Sequence, residues 1–195
     1  MIKVGITGGI GSGKSTACKV FETLGIPVYY SDEESKKLLD EDPAVNAFIL
    51  SAFGKTVLDT EGKVDRKKLA EKVFGDKEAL AKLNAAVHPA VGRHFESWLK
   101  QQKAPYILKE AAILFESGAY KQVDVVITVL APEELKIERS MKRNHFSREE
   151  VLQRMKNQLS DEEKAQRSKY ILMNDERSLL IPQVLEIHRQ LTADK

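Results

Sequence analysis

The hydrophobic pattern at the start of the chain predicts a short strand followed by a helix. Ile2, Val4 and Ile6 alternate with other residues and stop at Gly8-Gly9, as in a strand that ends in a turn. Helical spacing follows in the apolar residues Ala17, Val20, Phe21 and Leu24. Gly25 stands where a left-handed residue would end that helix.

The next residues repeat this order of elements. A second short strand is predicted at 26–30, and the spacing Ser31-x-x-Glu34 predicts a capping box that opens another helix. From about residue 43 to residue 102 the apolar positions follow helical spacing and strands are nearly absent. We therefore expect an inserted helical subdomain in this part of the chain.

Strands return after the helical stretch. They are predicted at 106–109, 123–130 and 170–172, and the continuous apolar run of the second is typical of a strand in a parallel sheet, buried on both faces. Between the last two, Ser147 and Ser160 each precede a Glu at capping-box spacing and open short charged helices. A closing helix runs through Leu180, Val184, Ile187 and Leu191, with Pro182 delaying its secure start.

One sequence motif after the first strand carries specific chemistry. Residues 8–15 read Gly-Gly-Ile-Gly-Ser-Gly-Lys-Ser and match G-x-x-x-x-G-K-[ST] in full, between a predicted strand and a predicted helix. In such a loop, backbone N–H groups and the helix N-terminus hold phosphate oxygens, while Lys14 reaches the β and γ phosphates of ATP. Ser15 would bind Mg²⁺ through its hydroxyl. The second G-K-T, at 54–56, lacks the first glycine and a leading strand, so we do not interpret it as a site.

The motif and the element order together predict an α/β protein with the P-loop NTPase fold. We expect a parallel five-stranded sheet flanked by helices, with a helical substrate-binding insertion and a helical lid. In one domain, residues 1–42 and 103–195 would form the nucleotide-binding core, about 43–102 the helical substrate subdomain, and about 132–168 the lid. The predicted nucleotide-binding residues are Gly8, Gly11, Ser12, Gly13, Lys14, Ser15 and Thr16.

Composition narrows the choice of partners and compartment. Lys plus Arg (31) nearly balance Asp plus Glu (29), so the net charge of +2 indicates neither a nucleic-acid nor a membrane partner. The one cysteine, Cys18, excludes an intrachain disulfide, and no apolar run approaches the roughly 20 residues of a membrane span. We expect a cytoplasmic monomer or small homo-oligomer.

Several charged residues are candidates for catalysis, each with a plainer alternative. Asp32 follows the second strand and could accept a hydroxyl proton, or it is a first-turn acid stabilised by the helix dipole. Glu110 ends the third strand and could hold Mg²⁺, or it is a surface carboxylate. Arg139 and Arg143 share one helix face in the lid and could neutralise the transferring phosphoryl group, or that face is merely solvated. No guanine-recognition or transporter-ATPase signature is present, which favours a small-molecule kinase.

Over most of its length the sequence resembles the dephospho-CoA kinase family. The resemblance rests on these residues: Val4 to Thr16; Asp32; Val64 to Leu69; Val73-Phe74; Leu83-Asn84 with His88-Pro89; Ile113 to Glu116; Arg139 with Arg143; Arg154 and Gln158. It implies MgATP as phosphoryl donor and dephospho-CoA as acceptor, with Asp32 as the base for the ribose 3′-hydroxyl. It also implies that Thr7, Arg66, His88 and Glu116 belong to the substrate-binding side.

The chain departs from the family pattern at two places. Tyr30-Ser31-Asp32 stands where the family usually has Asp-Ala-Asp. Glu110 stands where the family has a metal-side Asp, and the Glu side chain is longer by one methylene. His88-Pro89 also has an alternative interpretation as the start of a helix, with Pro at its first position. Two other functions stay open on the residues alone: a kinase for another nucleoside-like acceptor, and a non-catalytic ATP-dependent switch.

Overall fold

A computed structural model describes residues 1–73 and 76–193 of the chain. The chain divides into two compact units: residues 1–30 with the described residues from 102 onward, and Ser31–Gln101. Phe74, which is part of the family pattern, lies outside the described residues.

The first unit contains a five-stranded sheet. Its strands are β1 (Ile2–Thr7), β2 (Val28–Tyr30), β3 (Tyr106–Glu110), β4 (Val125–Leu130) and β5 (Tyr170–Met173). They lie in the order β2-β3-β1-β4-β5 with every neighbouring pair parallel, so the predicted parallel five-stranded sheet is confirmed. Because the strands are parallel, the carboxyl ends of all five lie at one edge of the sheet, the edge at which ligands bind in open α/β folds.

Within the described residues the structure has nine α-helices. They are α1 (Lys14–Thr23), α2 (Ser31–Glu41), α3 (Pro43–Phe53), α4 (Arg66–Val73), α5 (Lys77–Leu99), α6 (Glu133–Asn144), α7 (Arg148–Met155), α8 (Asp161–Gln166) and α9 (Leu180–Ala193). Two short 3₁₀ helices cover Lys55–Val57 and Ala119–Gln122.

The main core of the first unit lies between the sheet and the two helices α1 and α9. Strand residues such as Val4 and Ile127 are fully buried there, together with Phe21 of α1 and Val184 of α9. Burying one such side chain stabilises the fold by about 1.5–3 kcal/mol. The apolar stripe that predicts α1 is therefore the face that fixes this helix, and with it the glycine loop, against the sheet.

The second unit is built from α2 to α5, and α2, α3 and α4 all pack against the long α5. Helix α5 begins after Asp76, whose carboxylate accepts hydrogen bonds from the backbone N–H groups of Glu78 and Ala79. Pro89 lies inside this helix, so the interpretation of His88-Pro89 as a helix start is wrong. Packing of buried side chains such as Phe95 overrides the local signal of a proline.

The predicted helix starts have mixed outcomes. Both Ser147 and Ser160 form complete capping boxes, as predicted. Ser31 does not: it is the first residue of α2 itself, and its buried hydroxyl has no hydrogen-bond partner within the described part of the chain. Helix α9 begins at Leu180, earlier than predicted, because Pro182 lies in the first turn, where its missing N–H removes no helical hydrogen bond.

Candidate active site

The glycine loop connects the carboxyl end of β1 to the N-terminus of α1, and it is tightly enclosed. Gly8, Gly11 and Gly13 have φ values of 150°, 77° and 93°, which favour glycine. A Cβ atom would overlap the carbonyl oxygen of Val129 at Gly8 and that of Lys136 at Gly11. At Gly13 it would overlap the side-chain nitrogen of Asn174. The glycines are thus required both by conformation and by space.

Some backbone N–H groups of the loop have hydrogen-bond partners in the protein, and others have none in the described structure. Those of Ser12 and Thr16 donate within the loop, to the carbonyls of Gly9 (3.1 Å) and Gly13 (3.0 Å). Those of Gly11, Gly13 and Ser15 have no hydrogen-bond partner among residues 1–73 and 76–193. Donors without protein partners at a helix N-terminus fit a phosphate group, so this loop is suited to the phosphates of a nucleotide.

Lys14 lies over the loop that precedes it. Its Nζ donates to the carbonyl oxygens of Gly8 (3.0 Å) and Gly9 (3.2 Å), and the side chain is buried. The ammonium group is thereby held within the phosphate loop, where a cation can offset phosphate charge.

Two residues have the chemistry to help hold a magnesium ion. Glu110 ends β3, beside Ile6 of β1 in the sheet register, and is 6% exposed. Ser15 is exposed in the first turn of α1. Within the described residues, no group of three or more His, Cys, Asp or Glu could hold a metal ion by itself. Since Mg²⁺ is usually held by substrate phosphates and one or two protein oxygens, a hydroxyl and a carboxylate are a suitable donor set.

Thr7 ends β1 and is fully buried. Its hydroxyl donates to the carbonyl oxygen of Ala112, at 3.5 Å. This places Thr7 in contact with the segment that follows β3, at the edge of the sheet where the glycine loop begins.

Three of the candidate residues lie in the second unit. Asp32 is exposed in the first turn of α2, two residues after β2 ends. Arg66 begins α4 and forms an ion pair with Asp40, at the surface. His88 is exposed on α5, and partial desolvation by its surroundings lowers its pKa below the usual value.

The two predicted lid arginines differ in their contacts. Arg139 donates through Nη1 to the carbonyl oxygen of Asn174 (3.0 Å) and through Nη2 to Glu176 Oε1 (3.1 Å). Arg143, one turn later on α6, is exposed. Arg139 is thus engaged with the segment after β5, whereas Arg143 extends into solvent.

Glu116 is held by the protein itself. One carboxylate oxygen accepts a hydrogen bond from the backbone N–H of Leu159 (2.7 Å) and lies 3.3 Å from Nζ of Lys164, which is completely buried. A buried ammonium group needs such a partner, because desolvation of an unpaired charge is costly. Glu116 therefore anchors the start of α8 to the rest of the first unit.

The structure also brings to the loop residues to which the sequence assigned no role. Lys136 forms a buried ion pair with Asp161 (2.6 Å), and with Gly9 they line a cavity of about 550 Å³. Gln158, a member of the family pattern without an assigned role, accepts a hydrogen bond from Ile10 N–H (2.9 Å). Asn174 directly follows β5, and the rule that ligand-site residues follow strand ends could have identified it.

Comparisons with known proteins agree with the geometry of the loop. A family model described as dephospho-CoA kinase matches residues 2–179. A protein of Bacteroides fragilis named dephospho-CoA kinase is 42% identical over 187 residues, covering 95% of this chain and 91% of that protein. Within the described residues, no helix combines the length and apolar character needed to cross a membrane.

Two solved structures are similar over almost the whole chain. One is a protein from Thermus thermophilus, with a TM-score of 0.85 and 34% identity over 99% of this chain and 97% of that one. The other is dephospho-CoA kinase from Campylobacter jejuni, with a TM-score of 0.71 and 31% identity over 98% of both chains. The likeness thus extends over both compact units.

Proposed function

This chain belongs to the dephospho-CoA kinase family, and we propose that it transfers the γ-phosphoryl group of ATP to the ribose 3′-hydroxyl of dephospho-CoA. The products are ADP and coenzyme A. The observation that carries the proposal is the family match from residue 2 to residue 179, which includes both the glycine loop and the whole second unit. The enclosed loop, with N–H groups of Gly11, Gly13 and Ser15 that lack partners in the described structure, supports its nucleotide-binding half.

The reaction forms one bond from the 3′-oxygen to the γ phosphorus and breaks the bond from that phosphorus to the β–γ bridging oxygen. We assign the 3′-hydroxyl proton to the carboxylate of Asp32, an exposed group two residues after a strand that ends at the ligand-binding edge. Lys14 and the loop amides neutralise the charge on the phosphates. In our proposal Arg143 of α6 neutralises charge on the transferring phosphoryl group. Arg139, one turn earlier on the same helix, has the same proposed role.

The remaining assignments concern binding. In the proposal Gly8, Ser12 and Thr16 complete the nucleotide-binding loop, while Thr7, Arg66, His88 and Glu116 contribute to the acceptor side. Mg²⁺, held through Ser15 and Glu110 and the phosphates, would supply charge neutralisation at the transferred group. We also propose a cytoplasmic setting without a nucleic-acid partner, which the balanced charge and the free, buried Cys18 support. The proposed assembly state is a monomer or small homo-oligomer.

The test is an assay of acceptor-dependent ADP release with identification of the product. Purified protein with MgATP is given dephospho-CoA, and in parallel AMP, adenosine and shikimate, and coenzyme A is identified by mass. We expect fast turnover with dephospho-CoA and activity that disappears when EDTA removes the metal. Faster transfer to one of the other acceptors would reject the proposed substrate, and acceptor-independent ADP release alone would reject the kinase reaction.

A further inference from the structure

Asn174 is fixed at the sheet edge by its own backbone. Its N–H donates to the carbonyl oxygen of Leu130, the last residue of β4, at 2.8 Å. Its carbonyl oxygen accepts a hydrogen bond from Nη1 of Arg139, at 3.0 Å. With both backbone groups bonded, the residue offers its side chain from a defined position.

That side chain bonds to the glycine loop. The Nδ2 atom of Asn174 donates to the carbonyl oxygen of Ser12 at 2.8 Å, across 162 residues of sequence. The contact is close, since a Cβ on Gly13 would overlap the same nitrogen. Among described residues, Asn174 is therefore the partner that holds the peptide unit between Ser12 and Gly13 from outside the loop.

Because the peptide group is planar, this contact also fixes the direction of an N–H group that can donate a hydrogen bond to phosphate. In a trans peptide the C=O and the following N–H point in opposite directions, and this bond is trans. When the Ser12 carbonyl points toward Asn174, the Gly13 N–H must point away from it. The Gly13 N–H is one of the loop donors without a hydrogen-bond partner in the described part of the protein.

Another peptide unit of the loop, three units earlier, shows the opposite arrangement. Between Gly9 and Ile10 it is the N–H that is bonded from outside, by Gln158 at 2.9 Å, and the Gly9 carbonyl then accepts from Lys14. In both peptide units one group is bonded by a side chain from outside the loop, and the other group of the same unit points the opposite way. At Ser12 and Gly13 the group that points away from the external side chain is a donor, which suits an anion.

We propose that Asn174 is a positioning residue for the phosphate loop, which sets the orientation of the Gly13 N–H toward the β phosphate of the nucleotide by holding the Ser12 carbonyl. The inference deepens the proposed function and rests on its nucleotide-binding half. Because loop amides of this kind cradle the β phosphate, the effect concerns nucleotides that carry one. Asn174 acts through the loop and needs no contact with the nucleotide.

The test compares ADP with AMP, since only ADP carries a β phosphate. Titration calorimetry on Asn174→Ala should give an ADP Kd raised about tenfold, which corresponds to the loss of one well-placed hydrogen bond. AMP affinity should change less than about twofold. Asn174→Asp keeps the shape but sets an oxygen against the Ser12 carbonyl, so it should weaken ADP more than the alanine variant does.

The controls separate positioning from folding. Gln190→Ala removes a surface amide that bonds Glu186 on α9 and should leave both affinities unchanged. Thermal midpoints identify any variant whose fold is impaired. Equal weakening of ADP and AMP, or ADP affinity unchanged in both Asn174 variants, would overturn the proposal. Since the readout is ADP binding, an enzyme that binds ADP but fails with dephospho-CoA would reject the proposed acceptor and leave this inference standing.

Discussion

The glycine loop and the candidate residues of the second unit are held in different ways. The loop is enclosed by atoms from three segments of the first unit: the carbonyl of Val129 in β4, that of Lys136 in α6, and the amide of Asn174 after β5. Asp32, Arg66 and His88 are instead exposed on helices of the second unit. Arg66 has its charge partner, Asp40, within that unit. One region is fixed by packing, and the other presents side chains from a helical surface.

This difference matches what each region would use to recognise its ligand in the proposed function. Phosphates are held by backbone N–H groups, whose directions depend on the whole conformation of the loop. Proton transfer and acceptor binding use side-chain groups, which can be replaced singly on an exposed helix at little cost to the fold. Substitutions in the second unit should therefore separate chemistry from folding, whereas those in the loop should affect both.

The largest effect is expected for Asp32→Asn. The amide cannot accept the hydroxyl proton, so kcat should fall by about 10²–10⁴-fold, the usual range for a general base. ATP affinity and the thermal midpoint should stay unchanged, because Asp32 is exposed and lies outside the glycine loop. Steady-state kinetics and calorimetry measure these quantities.

The matched control for Asp32 is Glu33→Gln, which removes the neighbouring exposed carboxylate in the same first turn. It should behave like the unmodified enzyme. Acceptor-dependent turnover retained in Asp32→Asn would place the general base elsewhere in the protein. If Asp32→Asn lost no function and the unmodified protein transferred phosphate to no acceptor, an ATP-dependent switch would be favoured.

In the loop, Gly11→Ala should impair folding and binding together. Gly11 has φ 77°, and a side chain there meets the backbone of Lys136 on α6, which cannot move aside alone. Gly25→Ala is the control, because Gly25 has the same φ of 77° but no atom within 4 Å of the added Cβ. Left-handed strain should destabilise both variants by about 1–2 kcal/mol.

Only Gly11→Ala should also raise the Kd for ATP, by about tenfold or more, where each tenfold is about 1.4 kcal/mol of binding free energy. Chemical denaturation and calorimetry on the two variants give both numbers. If Gly25→Ala weakened ATP equally, the enclosure by α6 would not be what shapes the loop.

Variants of Glu116 test whether this residue of the Ile113 to Glu116 motif belongs to the packed first unit or to the substrate side. Glu116→Gln keeps an acceptor for Leu159 N–H but leaves the ammonium group of the completely buried Lys164 without its counter-charge. Loss of one partner of a buried ion pair lowers the free energy of unfolding by about 3–5 kcal/mol. We expect the lower end of this range, because the Glu116 side chain is 17% exposed.

The double variant Glu116→Gln with Lys164→Met should recover most of that stability, since it removes the unpaired charge. Glu162→Gln on the exposed face of α8 serves as the control. A raised KM for dephospho-CoA with an unchanged free energy of unfolding would instead assign Glu116 to substrate binding.

The sequence predicts the packed region well where the signal is local. Strand and helix periodicity gave the five parallel strands, and eight contiguous residues gave the loop, because a glycine loop between strand and helix is defined within one segment. Ser147 and Ser160 formed their capping boxes for the same reason: all the partners lie within three residues.

Predictions from the sequence fail where contacts with distant residues determine the structure. Ser31 is the first residue of its helix and not its cap, and Pro89 lies inside α5, whose buried residues pack against other helices. The contacts of Asn174 and Gln158 with the loop span 162 and 148 residues, so no local pattern contains both partners. The roles proposed for the second unit depend on exposed side chains, for which helix periodicity predicts only a surface position.

The smallest expected effect concerns His88. It tests whether an exposed residue of the second unit still contributes to the pH dependence of the free energy of unfolding. Desolvation lowers its folded pKa below the unfolded value of about 6.5. The unfolded chain then binds more protons between these two values, so the free energy of unfolding should fall as pH decreases through about 6.5 toward the folded pKa. His88→Gln should flatten this part of the pH profile, measured by urea denaturation between about pH 5.5 and 7.5. An identical slope in the variant would mean that His88 is as solvated as the other surface residues. Bound dephospho-CoA offers a further distinction, because phosphate contacts favour the protonated ring and should then make acceptor affinity increase as pH falls.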